Sequence, residues 1–210
     1  MEKKENGLSN LDITIFCLYK LGGASQKTHT EKIAIECFNI AKERFSWRLP
    51  EYRNYPDKAP VRFALEQAKK EENGKLVIGK AGGDVASGDR EGWQLTPEGV
   101  NWIKKNEDRI IKKLKIEKPK IIEREAGRFI KKIKSEIAFK NFIKDNYSLD
   151  KVSKYNIIDL LNCPPDVPLE IIQSKFRDIK TLAELVDDND ISIFLNMCEE
   201  KFKEILISKN

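Results

Sequence analysis

Between Lys75 and Leu95 the chain drops the helical period that governs most of the remainder. "KLVIGK" (75–80) is a short apolar run suited to a strand. "AGGDVASGDREG" (81–92) holds four glycines and no apolar repeat, and "WQL" follows as a returning strand. Two short strands around a glycine-rich loop make a hairpin. A lone hairpin is marginal in water and must pack on helices. The sequence therefore predicts a mainly α fold with a small β-hairpin, in which helices supply the core.

Those helices are legible on both sides. Leu11, Ile15, Leu18 and Leu21 are spaced by four, three and three, and Gly22-Gly23 closes the run. "THTEKIAIECFNIAKERF" follows, with Thr28 and Glu31 at the spacing of a capping box. Its stripe is Ala34, Cys37, Phe38, Ala41 and Phe45. A third helix starts at Asp57, a suitable N-cap, with Pro60 in its first turn. Val61, Ala64, Leu65 and Ala68 are its inward face, and Asn73-Gly74 is expected to end it. After the hairpin, Thr96 and Pro97 open a fourth helix with Val100, Ile103, Ile110 and Leu114 inward.

The order is helix, helix, helix, strand, glycine loop, strand, helix. From Leu11 to Ile103 this resembles the winged helix-turn-helix superfamily of bacterial and archaeal regulators. The layout is also similar to the DNA-reading domains attached to some restriction enzymes. The piece that carries the resemblance best is "LVIGKAGG…EGWQLTPEGVNWI", with its "LT-x-x-G" turn from the second wing strand into the next helix. The resemblance implies an N-terminal winged-helix domain, 1–115, and leaves a helical C-terminal region, 116–210.

In that region "KPKIIEREAGRFIKKIKSEIAFKNFIKD" reads as one long basic helix with a seam of Ile122, Ala126, Phe129, Ile133 and Ile137. A narrow seam suits one partner helix, from a second copy or from the same chain. The pattern breaks near Asn146, and three further helical stretches follow.

Charge is uneven. Residues 1–100 hold 16 Lys/Arg and 15 Asp/Glu, residues 101–145 hold 15 and 7, and residues 146–210 hold 8 and 12. The basic middle suits an anionic partner or forms a solvated lysine face. The acidic end suits a different task, such as docking a partner protein; through 116–210 as a whole a homodimer or a partner protein is expected, the homodimer through the seam of the basic helix. No run of about 18 apolar residues is present, so no membrane span is expected. The polar start "MEKKENG" lacks the apolar core of a secretory signal. Four dispersed cysteines, with no CxxC pair, read as core residues of a cytoplasmic protein.

The resemblance places the third helix in the major groove of double-stranded DNA. Lys58, Arg62 and Lys69 share one flank of it, with Lys70 and Phe63 further round. Arg62 is the candidate for a bidentate guanine contact, or else an i,i+4 partner of Glu66. Phe63 faces away from its own core, toward a thymine methyl or a second protein surface. The segment before this helix, "RFSWRLPEYRNYPDK", threads four aromatics with four cations. Phe45 and Trp47 are expected to pin it to the helix pair, leaving Arg48 and Arg53 for phosphates. In the wing, Lys80 and Arg90 are candidates for weaker DNA contacts, opposed by Asp84 and Asp89.

Catalysis is not expected, and neither is a cofactor. Asp166, Asp178 and Lys180 fit the letters of a metal-nuclease pattern, but Leu169, Ile172, Phe176 and Ile179 set a helical period there. On a helix Asp178 and Lys180 diverge by roughly 200°. The reading is a non-catalytic DNA-binding protein, either a transcription regulator or the DNA-reading subunit of a restriction or phage-defence system. The alternative is a protein-interaction adaptor. Its ground is the charge of 1–100, which is close to balanced.

Overall fold

The computed structural model describes residues 7–82, 91–117, 122–164, 166–186 and 188–207, the side chains of 122–126 excepted. These residues form a mainly helical fold with one two-stranded antiparallel sheet. The chain divides into two compact units between residues 121 and 122.

The first unit is built around α1 (Asn10–Lys20). Ser9 and Asp12 form a reciprocal capping box at its start. Ile13 to Tyr19 are buried without interruption, because α1 is packed by α2 (Thr30–Ile40), α4 (Lys58–Ala68), α5 (Pro97–Leu114) and the second strand. The four-residue stripe read from the sequence underestimates this: Ile15 and Leu18 are core, while Leu11 and Leu21 are only half-buried. A helix enclosed on all sides shows no single apolar face.

Gly22, at φ +81°, turns the chain out of α1. Gly23 then packs on Leu18, where an added Cβ would stand 2.4 Å from Cδ1. The expected capping box at Thr28 and Glu31 does not form. α2 starts one turn position later with His29 as N-cap, whose Nδ1 accepts from the Glu31 amide at 3.2 Å. Thr28 instead pairs with Trp93 through two backbone bonds, 2.8 and 2.9 Å. Two backbone bonds at a buried position outweigh one side-chain cap at the surface. α2 also stops short of Phe45. Ala41 (φ −141°, ψ 62°) breaks it, and α3 (Lys42–Phe45) resumes with Phe45 wholly buried.

The third sequence-predicted helix is α4. Asp57 caps it through the Ala59 amide at 2.9 Å, and Val61, Ala64, Leu65 and Ala68 are buried. It ends at Ala68; a 3-10 turn, Glu71–Asn73, and Gly74 at φ +85° complete the exit. Strands β1 (Val77–Lys80) and β2 (Gly92–Leu95) pair from Val77↔Leu95 to Lys80↔Gly92. Thr96 caps α5 by accepting from Gly99 at 3.0 Å while donating to Lys75 O at 2.8 Å.

The second unit contains α6 (Ile122–Ser135), α7 (Ile137–Lys144), α8 (Lys154–Leu160), α9 (Leu169–Val186), α10 (Asn189–Lys201) and α11 (Lys203–Leu206). The single long helix expected over 118–145 is broken at Glu136, whose backbone is extended (ψ 149°). On one unbroken helix, nine residues at about 100° each would set Phe142 opposite Ile133. The break brings both into one core with Phe139, Phe176 and Phe194. It also turns Ile137 out, so that this member of the expected seam is 66% exposed. α6 packs against α9, so the buried Ile130 and Ile133 have their partner helix in the same chain. Residues 118–121 and the side chains of Ile122 and Ala126 lie outside the described residues. Consecutive left-handed residues, Asn146 and Tyr147, make the break expected near 146.

All four cysteines are free and buried. Burial pushes the Cys198 thiol up to about 12. A hydrogen bond with Cys37, together with burial, holds Cys17 well above the ordinary thiol range. Such thiols are poor nucleophiles.

Two glycines give opposite expectations. A Cβ on Gly99 would lie 2.0 Å from the Leu76 carbonyl oxygen, a backbone atom. Gly99→Ala should therefore destabilise the first unit by about 1–3 kcal/mol. Gly127 lies within α6 with nothing within 4 Å of its Cβ position. Gly127→Ala should stabilise the second unit by about 0.5–1 kcal/mol. Urea unfolding of both variants reads the two signs.

Candidate nucleic-acid interface

The segment between α3 and α4 is closed at its base. Ser46 and Pro56 form an antiparallel bridge, and the Asp57 amide donates to Phe45 O at 2.7 Å. The Trp47 amide donates to Tyr55 O at 3.3 Å, and the Trp47 indole N–H donates to Pro56 O at 3.2 Å. A 3-10 turn, Pro50–Tyr52, shapes the tip. Lys42 donates to Asn54 Oδ1 at 2.8 Å and ties the loop to α3.

Of the two aromatics expected to anchor this loop, only Phe45 does so. Trp47 is 50% exposed, Tyr52 51% and Tyr55 59%. The core of this unit already encloses Phe16, Phe45 and Trp93, and the loop crosses its surface. The rings form a surface chain instead: Trp47 to Tyr52 at 6.2 Å, Tyr52 to Tyr55 at 6.3 Å. Leu49 lies exposed in the same loop. The sequence signal was the count itself, since four aromatics in and beside an eleven-residue turn exceed what such a turn can bury.

Arg48 and Arg53 are exposed on this loop. On α4, Lys58, Ala59, Arg62, Phe63 and Glu66 line a shallow open depression, and Phe63 is 67% exposed. The expected flank of α4 is thus on the surface, but its cations differ in their engagements. Lys58 pairs with Glu31 at 3.2 Å. Lys69 donates to Gly79 O at 2.9 Å and so stitches α4 to β1. Lys70 pairs with Glu72 at 3.4 Å. Among the described residues Arg48, Arg53 and Arg62 form no salt bridge, and the i,i+4 pair of Arg62 with Glu66 is not made. Lys80 is half-buried at the end of β1. Arg90, Asp84 and Asp89 lie outside the described residues.

A second cluster, which the sequence reading missed, holds the root of the hairpin. His29 Nε2 lies 3.4 Å from Glu91 Oε2. The Trp93 indole donates to the Thr30 hydroxyl at 3.0 Å. Partial burial opposes ionisation of Glu91. The Thr30 hydroxyl, His29, the Gly82 amide and Lys58 outweigh it and hold the carboxyl below the ordinary glutamate range. Glu91 therefore latches the hairpin root to the start of α2. The only sequence hint was His29, the single histidine of the chain, beside the expected cap of this helix.

Among the described residues no group of three or more His, Cys, Asp or Glu could hold a metal ion. Asp178 and Lys180 both lie on α9, a helix, and Lys180 is bonded to Glu199 at 2.7 Å. No helix among the described residues is long and apolar enough to cross a membrane. Comparison of the chain with family models, curated proteins and solved structures finds no match.

The latch has a pH signature. Because folding lowers the pKa of Glu91, its contribution is complete above the ordinary carboxylate range and is lost as pH falls through the lowered value. Glu91→Gln should lower stability at neutral pH by less than about 1 kcal/mol, because its partner His29 is 43% exposed and solvent screens the pair. The gap to the natural chain should close in acid, which melting curves at neutral and strongly acidic pH will show.

Proposed function

We propose that this chain is a non-catalytic DNA-binding protein of winged helix-turn-helix design, with α4 as the helix that enters the major groove of double-stranded DNA. The observation that carries the reading is the outward face of α4. Arg62 stands there beside exposed Phe63, with Arg48 and Arg53 on the loop that leads into the helix. An arginine fork reads guanine O6 and N7 in the major groove, and an apolar ring meets a thymine methyl. Arginines on the entering loop suit phosphates, which fix register. The Thr28–Trp93 bridge supports the winged reading, since it joins the hairpin to the segment between α1 and α2. Lys80 and Arg90 would serve as flanking wing contacts. Such a protein acts as a cytoplasmic transcription regulator or as the DNA-reading subunit of a restriction or phage-defence system.

A second reading, a protein-interaction adaptor, is favoured by one observation. Trp47, Leu49, Tyr52, Tyr55 and Phe63 are all exposed in the neighbourhood of α4. Tryptophan, tyrosine and arginine are the residues that dominate binding energy at protein interfaces. Self-association through 116–210 would need a surface other than the face of Ile130 and Ile133, which α9 covers.

Arg62→Ala should leave melting nearly unchanged, because the side chain is exposed and has no ion-pair partner among the described residues. Affinity for a cognate duplex should fall by ~1–3 kcal/mol. Leu65→Ala should instead cost ~2–5 kcal/mol of stability through a lost core contact. With Arg48 and Arg53 on phosphates and Arg62 on a base, the slope of log affinity against log salt should be shallow, about −2. Titrations of duplex DNA at several salt concentrations test both statements. Unchanged affinity in Arg62→Ala would favour the adaptor.

A further inference from the structure

We infer that the loop Trp47–Tyr55 is a stacking platform for unpaired bases, so that the protein engages single-stranded or locally opened DNA beside the duplex. The inference rests on the DNA reading above for the phosphates that Arg48 and Arg53 would meet. Three features carry it.

The first is exposure with fixed geometry. Trp47, Tyr52 and Tyr55 each keep about half of their surface open, on a loop pinned at its base by the Ser46–Pro56 bridge. The indole N–H of Trp47 is spent on Pro56 O, so the open part of that ring is its apolar body. Rings held in place by backbone bonds lose little conformational entropy when a ligand stacks on them.

The second is spacing. Bases in a duplex stack in parallel about 3.4 Å apart. These rings are 6.2 and 6.3 Å apart and tilted by 57° and 47°. They cannot continue a duplex stack, and they do not stack on one another. Each offers a face of its own, which suits bases splayed from a strand with room between them.

The third is charge. Arg48 follows Trp47 and Arg53 follows Tyr52, and neither forms a salt bridge among the described residues. Aromatic faces interleaved with cations bind a single strand by stacking plus phosphate attraction. A protein partner would also use these residue types, but the two ring–cation pairs, Trp47-Arg48 and Tyr52-Arg53, suit two base–phosphate units of one strand, with Glu51 as the one anion between them.

The test uses the full chain with two probes, an oligothymidylate single strand and a blunt duplex of equal length. In the natural chain the single strand should quench tryptophan fluorescence. Trp93 is fully buried and Trp102, on α5, is only partly exposed, so the half-open Trp47 is the expected main source. Trp47→Phe should remove most of the quenching while keeping affinity, since a ring remains. Trp47→Ala and Tyr52→Ala should each lower single-strand affinity relative to duplex affinity by roughly tenfold. Both sites are half exposed, and Trp47→Phe guards against loss of fold in the alanine variants. An unaltered single-strand affinity in both alanine variants overturns the inference and assigns the rings to a protein surface. Quenching of undiminished size in Trp47→Phe also overturns it. If Arg62→Ala leaves duplex binding unchanged while single-strand binding still depends on Trp47, the groove reading of α4 fails and the stacking platform stands. Absence of binding to either probe overturns both.

Discussion

The first unit hangs on Trp93. Its side chain is fully buried, its indole donates to Thr30, and its backbone exchanges two hydrogen bonds with Thr28. Two four-residue strands have little stability alone. The bridge to Thr28 gives β2 a second bonded edge, and the Leu95 amide adds a bond to Gly23 O at 2.8 Å. The hairpin thereby becomes a continuation of the α1–α2 corner. From it the chain passes directly into Thr96 and α5, while Leu76 reaches back to Ala68 O at 2.8 Å and fixes the end of α4. One buried ring thus sets the positions of three helices that carry or support the candidate site.

What could be read in the sequence follows from the range of the interactions involved. α4 was legible because its signals are local: an Asp cap, an early proline and a stripe at positions 61, 64, 65 and 68. The hairpin and the Thr96–Pro97 start of α5 were legible for the same reason. The cap of α2 was not, because the competitor for Thr28 is a residue brought in from beyond the glycine loop. Thr30 and Trp93, 63 positions apart, belong to the same nonlocal contact. α1 concealed its true burial because a central helix has several inward faces. In the second unit, the break at Glu136 follows from asking Ile133 and Phe142 to share a core, a condition that a wheel drawn through five seam residues does not include. The candidate site was half legible. Arg62 and Phe63 were placed outward by the period of α4. Trp47 was assigned inward by a general preference for burying aromatics, which the filled core does not satisfy.

The second unit gains its order from aromatic packing rather than from hydrogen-bonded sheets. Phe194 meets Phe139 edge-on at 5.3 Å and Phe142 at 5.1 Å, so one ring on α10 holds two on α7. Tyr147, in a left-handed turn just after α7, sets its ring against Phe142 at 5.2 Å and donates its hydroxyl to Asp190 at 2.9 Å. That bond raises the tyrosine pKa and links the turn to the start of α10. The acidic excess of 146–210 is therefore partly structural: Asp190 takes Tyr147, Asp188 caps α10 and pairs with Lys134, and Glu199 takes Lys180.

The candidate face of the first unit separates its cations by chemistry. Lys58, Lys69 and Lys70 are each engaged by an oxygen of their own unit, whereas Arg48, Arg53 and Arg62 form no salt bridge among the described residues. A lysine is a compact charge that any nearby carboxylate or carbonyl can occupy. An arginine is a planar fork that pairs with flat or bidentate groups and stacks on rings. The loop and α4 also expose Trp47, Tyr52, Tyr55 and Phe63, which are flat groups. Few of the cations on this face are left for diffuse attraction; the net positive charge of the unit comes from 101–121, where eight Lys/Arg stand against three Asp/Glu. What this face leaves open is planar, guanidinium on the arginines and aromatic on the loop and Phe63.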